Sequence, residues 1–342
     1  MRKLYRSKAP LRLGLAGGGT DVAPYSDLYG GAVLNATINM YAYATIIPRN
    51  NGKIVFKSLD NGKYLEYNAT DHLEIDGELD LLKGIYNRVV KDFSKTPLSF
   101  ELSTIVDAPP GSGLGTSSTL VVTILGAFAE WLKLPLGEYD MARLAYEIER
   151  VDLQWAGGKQ DQYAATFGGV NFMEFFNGDK VVVNPLRIRG EYLDELAYNL
   201  VLFNTETSRM SSEIIARQSQ NIADKDPMSL DATHKLKIQA MMMKEAVLRG
   251  ELDKIGEILD YGWQNKKQLA PGISNPMIDE LYATAMKNGA SGGKISGAGG
   301  GGFIIFYCPN NSRHRVIDAL KKFGGMAHPY EFTTSGLKSW SI

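Results

Sequence analysis

The sequence predicts an α+β protein of two lobes, β-rich in the first and helix-rich in the second. Three observations carry that reading. Strand-like segments crowd the first half, and helical periodicity dominates from about Ser208 onward. Glycine-rich stretches at 16–21, 109–118 and 294–302 interrupt both. Strands and helices gathered in separate blocks favour α+β over a regularly alternating fold. A chain of 342 residues can bury a large core and corresponds to about two domains. Proline and charge between Pro185 and Glu191 suggest the boundary, dividing 1–187 from 188–342.

Each element follows from its own pattern. Leu4 to Leu15 reads as extended until AGGGTD (Ala16 to Asp21) breaks it. Ala32 to Ile47 is rich in β-branched and aromatic residues, and Ile54 to Phe56 and Tyr64 to Tyr67 follow, with Asn-Gly dipeptides at 51 and 61. That combination predicts antiparallel strands and hairpins. Glu78 to Phe93 has helical spacing, and Leu98 to Val106 reads as a strand entering PPGSGLGTSS (Pro109 to Ser118). Leu120 to Leu132 is apolar on almost every side, the mark of a buried helix. Met141, Leu144, Ala145 and Ile148 repeat at helical spacing and leave Glu149 off the apolar stripe. AGGKQDQ (Ala156 to Gln162) is a breaker, and Phe167 to Phe176 and Lys180 to Val183 read as strands joined by Asn177-Gly178. Leu236 to Leu248 and Leu252 to Trp263 are helical, and a strand signal returns at Phe303 to Tyr307, after KISGAGGGG (Lys294 to Gly302).

Composition narrows the function. A formal charge of -1, from 37 basic and 38 acidic residues, favours neither nucleic acid nor a membrane surface as partner. Any anion site must come from local arrangement. The single cysteine, Cys308, permits no intrachain disulfide and reads as a core thiol in a reducing, cytoplasmic setting. The four histidines show no metal spacing. No run of about 18 apolar residues occurs, and no apolar stretch follows the basic amino terminus, which argues against spanning or secretion.

The segment from Pro109 to Ser118 is the most informative. Its glycines let the backbone approach a ligand, and unpaired amides at a helix start point at negative charge. The hydroxyls of Thr116, Ser117 and Ser118 could hold a phosphate oxygen or Mg2+, or could simply cap the helix. GxxxxGK[ST] is absent, so a standard P-loop is excluded. Gly297, Gly299 and Gly302 satisfy GxGxxG, but the β-rich FIIFY run follows them and a helical pattern precedes them, the reverse of a dinucleotide fingerprint.

The order AP-LRLGLAGGGTD, PPGSGLGTSS, GGKQDQ, KISGAGGGG resembles the GHMP small-molecule kinases. The resemblance runs from residue 9 to about 302 and implies the two-lobed fold of that family and an ATP- and Mg2+-dependent phosphotransferase. It implies that Pro110, Gly111, Ser112, Gly113, Leu114, Gly115, Thr116, Ser117 and Ser118 hold the ATP phosphates, and that Ser118 and Glu149 hold Mg2+, with Glu147 and Asp152 as competitors for the carboxylate. Asp161 matches the aspartate that takes the acceptor's proton, and Arg12 a basic residue beside it or beside the transferring phosphoryl group. Asp21 matches a carboxylate that binds sugar hydroxyls, and the 294–302 glycines, Gly299 and Gly300 included, shape the acceptor side.

One departure from the family pattern is informative. Sugar kinases usually carry GEHTD in the first motif, whereas Gly18 and Gly19 stand here in place of Glu and His. With the stretch that follows, this is similar to the bacterial heptose 7-phosphate kinases, which implies transfer to the anomeric hydroxyl of a sugar phosphate. Fucose-kinase domains share much of the pattern, and a non-catalytic member is a further alternative. A phosphorylated sugar requires a second anion site, for which Arg209 (with Ser208, Ser211 and Ser212) and Lys159 are candidates. The oligomeric state stays open, a homodimer being one arrangement.

Overall fold

The computed structural model describes residues 3–178, 180–207 and 211–342. Along the chain, β1 (Tyr5–Ala16) leads through α1 (Tyr25–Tyr29) to β2 (Gly31–Pro48), and β3 (Lys53–Ser58) and β4 (Lys63–Asn68) form a hairpin. Then come α2 (Asp80–Val89), β5 (Phe100–Val106), α3 (Thr116–Leu132), α4 (Glu138–Glu147), α5 (Gln160–Phe167), β6 (Val170–Phe175) and β7 (Val181–Pro185). The second part holds α6 (Gly190–Asn199), β8 (Leu200–Asn204), α7 (Ser211–Ala223), α8 (Pro227–Arg249), α9 (Ile255–Lys266) and α10 (Pro276–Lys287). It ends with β9 (Gly292–Ile295), β10 (Phe303–Tyr307), α11 (Arg313–Leu320), β11 (Met326–His328) and β12 (Lys338–Ser341).

The first sheet runs β12-β1-β2-β5-β3-β4, with β6 and β7 continuing from β2. β2 is a single strand of 18 residues. Its first part, Gly31 to Ala36, pairs with β6, and its second, Ala42 to Pro48, with β5. The pairs are antiparallel except β3 with β5, which need the α2 crossover between them. α3 lies across β1 and β2 and buries Val121, Val122, Ile124, Leu125 and Phe128. Its apolar surface is nearly continuous because strands cover one side and neighbouring helices the other. β12, from the end of the chain, pairs with β1 and so belongs to the first sheet.

The second sheet, β11-β8-β10-β9, is antiparallel throughout. β10 explains its own sequence: Ile304 and Phe306 face a core with Trp263, Leu281 and Leu320. Phe303, Ile305 and Tyr307 face the opposite core, with Leu11, Leu13 and Leu34 of the first sheet. A strand covered on both faces reads as an unbroken apolar run. Cys308 is buried beside it, and burial pushes its thiol up to about 12. Among the described residues, no helix is long and apolar enough to cross a membrane.

Several elements differ from expectation, α5 and the short strands β8, β9, β11 and β12 among them. Gln160 to Phe167 forms α5 where a breaker and the start of a strand were expected. Tyr163, Ala164 and Ala165 are buried in it, so tertiary packing overrides the weak local pattern. β8 and β9 were also missed, being short and, in β9, glycine-rich, so neither shows a period of its own. β9 replaces the helical pattern expected just before the 294–302 glycines. They join two strands of a hairpin and open no helix, so the exclusion of a dinucleotide fingerprint stands.

Candidate active site

The loop from β5 to α3 turns on Gly111, Gly113 and Gly115, whose φ angles are +75°, +77° and +78°. Alternate residues in this left-handed region curl the backbone tightly, a geometry suited to anions. At Gly113 a Cβ would lie 2.3 Å from the Ser296 carbonyl oxygen, and at Gly115 one would lie 3.2 Å from Asp161 Cγ. Ser112 and Leu114, expected among the phosphate ligands, turn the other way: both side chains are buried, Leu114 in the core with Leu11 and Leu13. Their carbonyls fix the loop, accepting from Phe303 N at 2.9 Å and Arg12 N at 3.1 Å. Pro110, Gly111, Gly113, Gly115, Thr116, Ser117 and Ser118 line a cavity of about 1000 Å³.

No side chain caps the start of α3. The hydroxyls reach sideways instead, Ser117 Oγ donating to Glu149 Oε1 at 2.8 Å. Gln162 Nε2 donates to Glu149 Oε2 at 2.6 Å and to Ser118 Oγ at 3.0 Å. Glu149 lies in a π-helical turn, Ile148–Asp152, which extends α4 and delivers a carboxylate only 1% exposed to the cavity wall. Such turns concentrate at functional sites. Its sequence competitors are engaged elsewhere, Glu147 and Asp152 both pairing with Arg88. Clustered hard oxygen donors at a helix start suit Mg2+.

Asp161 occupies the first turn of α5. Arg12, on β1, donates to its Oδ1 from Nε at 2.7 Å and lies 2.6 Å away through Nη2. The third guanidinium nitrogen donates to the Gly113 carbonyl at 2.6 Å. Asp21 is fully buried, with Oδ1 accepting from Gly19 N and Gln160 Nε2 and Oδ2 from Gln160 N, each at 3.1 Å. Gly158 leaves room for it, since a Cβ there would sit 1.9 Å from Oδ2. Gly18 and Gly19 line the same cavity.

Sequence reasoning missed two cations here. Lys266, at the end of α9, donates to the Gly297 carbonyl at 2.5 Å, and Lys294, on β9, to the Gly14 carbonyl at 2.6 Å. Both are 3% exposed, and both line the cavity. Burial, reinforced by the Arg12 charge, pulls Lys266 down to about 8, while burial and the neighbouring Lys266 hold Lys294 well below its ordinary value. A signal for Lys266 existed: Leu259, Trp263 and Lys266 fall on one face of α9, placing a lysine on an apolar stripe.

Other expectations need correction. Lys159 does not face the cavity, its buried ammonium lying 3.6 Å from Asp27 and over the Tyr146 ring. Gly299 and Gly300 pack against Ile273, leaving Gly297 and Ala298 as the cavity-lining residues of that segment. Arg209 and Ser208 lie outside the described residues, though Ser212 and Glu213 of α7 line the cavity.

Comparison with known proteins matches this arrangement. Residues 80–169 match the GHMP kinases N terminal domain and residues 243–325 the GHMP kinases C terminal model. The chain is 50% identical over 340 residues to a D-glycero-alpha-D-manno-heptose 7-phosphate kinase of Campylobacter jejuni, covering 99% of this chain and 100% of that one. A crystal structure described as a D-glycero-D-manno-heptose 1-phosphate kinase from Bacteroides thetaiotaomicron superposes with a TM-score of 0.84 at 46% identity, covering 99% of both chains. A bifunctional fucokinase/GDP-fucose pyrophosphorylase of Arabidopsis thaliana is 27% identical over 90% of this chain and 30% of its own. Full-length identity of this order, with both family models in sequence order, shows that the chain belongs to the GHMP kinase family and is an ATP-dependent kinase.

Proposed function

We propose that the protein transfers the γ-phosphoryl group of ATP to the anomeric hydroxyl of a sugar that already bears a phosphate, D-glycero-D-manno-heptose 7-phosphate, giving the 1,7-bisphosphate. The observation that carries this is Asp161, held by Arg12 against the glycine loop, with Asp21 lining the same cavity. Phosphoryl transfer depends mainly on positioning and charge. The loop amides and the start of α3 receive the ATP phosphates, and Asp21 accepts from sugar hydroxyls. The acceptor proton passes to Asp161 as the oxygen–phosphorus bond forms, and the bond from the γ-phosphorus to its bridging oxygen breaks to leave ADP. Ser117, Ser118 and Glu149 would hold Mg2+, which when bound neutralises charge on the phosphate oxygens.

Support for a heptose phosphate comes from the Campylobacter and Bacteroides relatives and from Gly18 and Gly19, which leave open the space that Glu and His fill in GEHTD. We further assign the enzyme to the cytoplasm and to the supply of sugar 1-phosphates for nucleotide-sugar synthesis, and divide it near residue 187, with β12 counted in the first lobe.

An acceptor panel tests the reading. Heptose 7-phosphate, the free heptose and L-fucose are each incubated with ATP and Mg2+, and products are followed by phosphorus NMR. A new anomeric phosphate with stoichiometric ADP is expected from heptose 7-phosphate. Preferential transfer to fucose overturns the acceptor assignment, and no ATP consumption across the panel overturns catalysis.

A further inference from the structure

Resting on the reading that the acceptor carries a phosphate, we infer that Lys266 and Lys294, facing the space left by Gly18 and Gly14, form the pocket that receives that phosphate and sets the preference for phosphorylated sugars. Charge accounting over the cavity wall points there. Arg12 pairs with Asp161, and Arg150 lies 3.7 Å from Glu149. Among the described residues, Lys266 and Lys294 make no ion pair, each having only a backbone carbonyl as hydrogen-bond partner. A buried ammonium without a carboxylate is costly unless something anionic completes it. Two of them on one cavity wall, with the Lys266 charge felt at Lys294, make a site that a phosphate dianion would satisfy.

The surroundings match a sugar phosphate rather than a bare anion. A Cβ at Gly18 would lie 4.0 Å from Lys266 Nζ and one at Gly14 would lie 3.7 Å from Lys294 Nζ, so these glycines leave space directly against the two cations. The Gln160 side chain spans the same gap, with Nε2 3.7 Å from the Gly18 position and Oε1 3.9 Å from the Gly14 position. Its Nε2 is taken by Asp21, whereas Oε1 is buried with no hydrogen-bond partner among the described residues. An orphaned acceptor beside two unpaired ammonium groups fits a ligand that presents a hydroxyl and a phosphate together. Gly18 then has a role of its own: a glutamate there would neutralise Lys266 and close the pocket.

The test compares wild type with Lys266→Met, Lys266→Arg and Gly18→Glu. Calorimetric affinities for heptose 7-phosphate, free heptose and ATP are measured, together with steady-state kinetics on both sugars. Loss of a charge-assisted contact should weaken heptose 7-phosphate binding about 10- to 100-fold in Lys266→Met and Gly18→Glu, with partial recovery in Lys266→Arg. In Lys266→Met, affinities for free heptose and ATP should stay within about threefold, whereas Gly18→Glu, which also fills sugar space, is read against ATP affinity alone. An equal loss for both sugars, or a fall in kcat with unchanged sugar-phosphate affinity, overturns the assignment and places Lys266 on the transferring phosphoryl group. Absence of any preference for heptose 7-phosphate in wild type is a different result, because it removes the phosphorylated-acceptor reading itself.

Discussion

Arg12 grips Asp161 through a single oxygen: Nε and Nη2 both converge on Oδ1, at 2.7 and 2.6 Å. Oδ2 is left on the side of Gly115, 3.4 Å from where a Cβ of that glycine would stand. The carboxylate is thus oriented by one oxygen and available through the other. Asp161→Asn should keep ATP affinity within a few-fold and cut turnover by about 10²-fold or more, the scale of losing a general base. Arg12→Lys cannot reproduce the fork and should cost turnover about 10-fold or more. Single-turnover kinetics with equilibrium ATP binding distinguish these outcomes, and near-wild-type turnover in Asp161→Asn removes the proton-transfer role.

Gly115→Ala places a Cβ 3.2 Å from Asp161 Cγ, on a backbone with φ of +78°. Strain of about 1–2 kcal/mol is expected from the left-handed conformation alone. Turnover should fall more than thermal stability, because the displaced atom belongs to Asp161. Unchanged kcat beside a lowered melting temperature would mean that the loop relaxes without disturbing the aspartate.

Glu149→Gln retains the shape of the side chain but removes the charge that Ser117 and Gln162 hold in place. The Mg2+ concentration for half-maximal activity should rise by about 10-fold or more, since even supporting groups around a metal matter at that level. A Mg2+ titration at saturating ATP and acceptor measures it. An unshifted midpoint rules Glu149 out as a ligand.

Burial and the Arg12 charge bring Lys266 down to about 8, against the opposing pull of Asp21 and Asp161. Lys294 also faces this group. As pH rises through about 8 in the unliganded enzyme, Lys266 loses its proton and its hold on an anion. The KM for heptose 7-phosphate should therefore climb between about pH 7.5 and 9, and climb less in Lys266→Arg, which stays charged at that position. Identical profiles in the two enzymes count against Lys266 as the anion ligand.

The same shift has a sign for stability. The folded value of about 8 lies below the ordinary lysine value of 10.5, so between those pH values the unfolded chain binds more protons than the folded one. The Lys266 contribution to stability therefore rises with pH across that window, and below it the protonated side chain is a net liability. At pH 7, Lys266→Met should raise the melting temperature in the absence of ligand even as it weakens sugar-phosphate binding. A melting temperature lowered at pH 7 would show that the Gly297 contact outweighs burial of the charge.

Much of this site is legible in the sequence alone, for physical reasons that differ by residue. The loop at 109–118 announced itself because left-handed backbone and a helix start require glycines and small hydroxyl residues in fixed order. Asp161 and Arg12 were reached through the order of the motifs, and their contact spans 149 positions that no local pattern links. β10 was visible because both of its faces are buried, whereas β9 was not, its glycines fitting beneath α9 and Phe306. Lys266 is harder to read: a lysine at a helix end usually reads as solvated, and only its place on the apolar stripe of α9 hints at the burial against Gly297. Lys159 erred the opposite way, its ammonium turned from the cavity toward Asp27 and Tyr146.

At the seam of the molecule, Gly113 and Gly297 touch backbone to backbone, and the carbonyl of Ser112 accepts from Phe303 of the second sheet. The 109–118 loop is therefore common ground, bonded to Arg12 of the first sheet and to Phe303 of the second. Its floor cannot hinge open like the jaws of a clamshell without breaking that bond. Gln154 to Gly158 and the α7 residues Ser212, Glu213, Ile215 and Ala216 wall the same cavity, so both lobes contribute sides to the space above one shared loop.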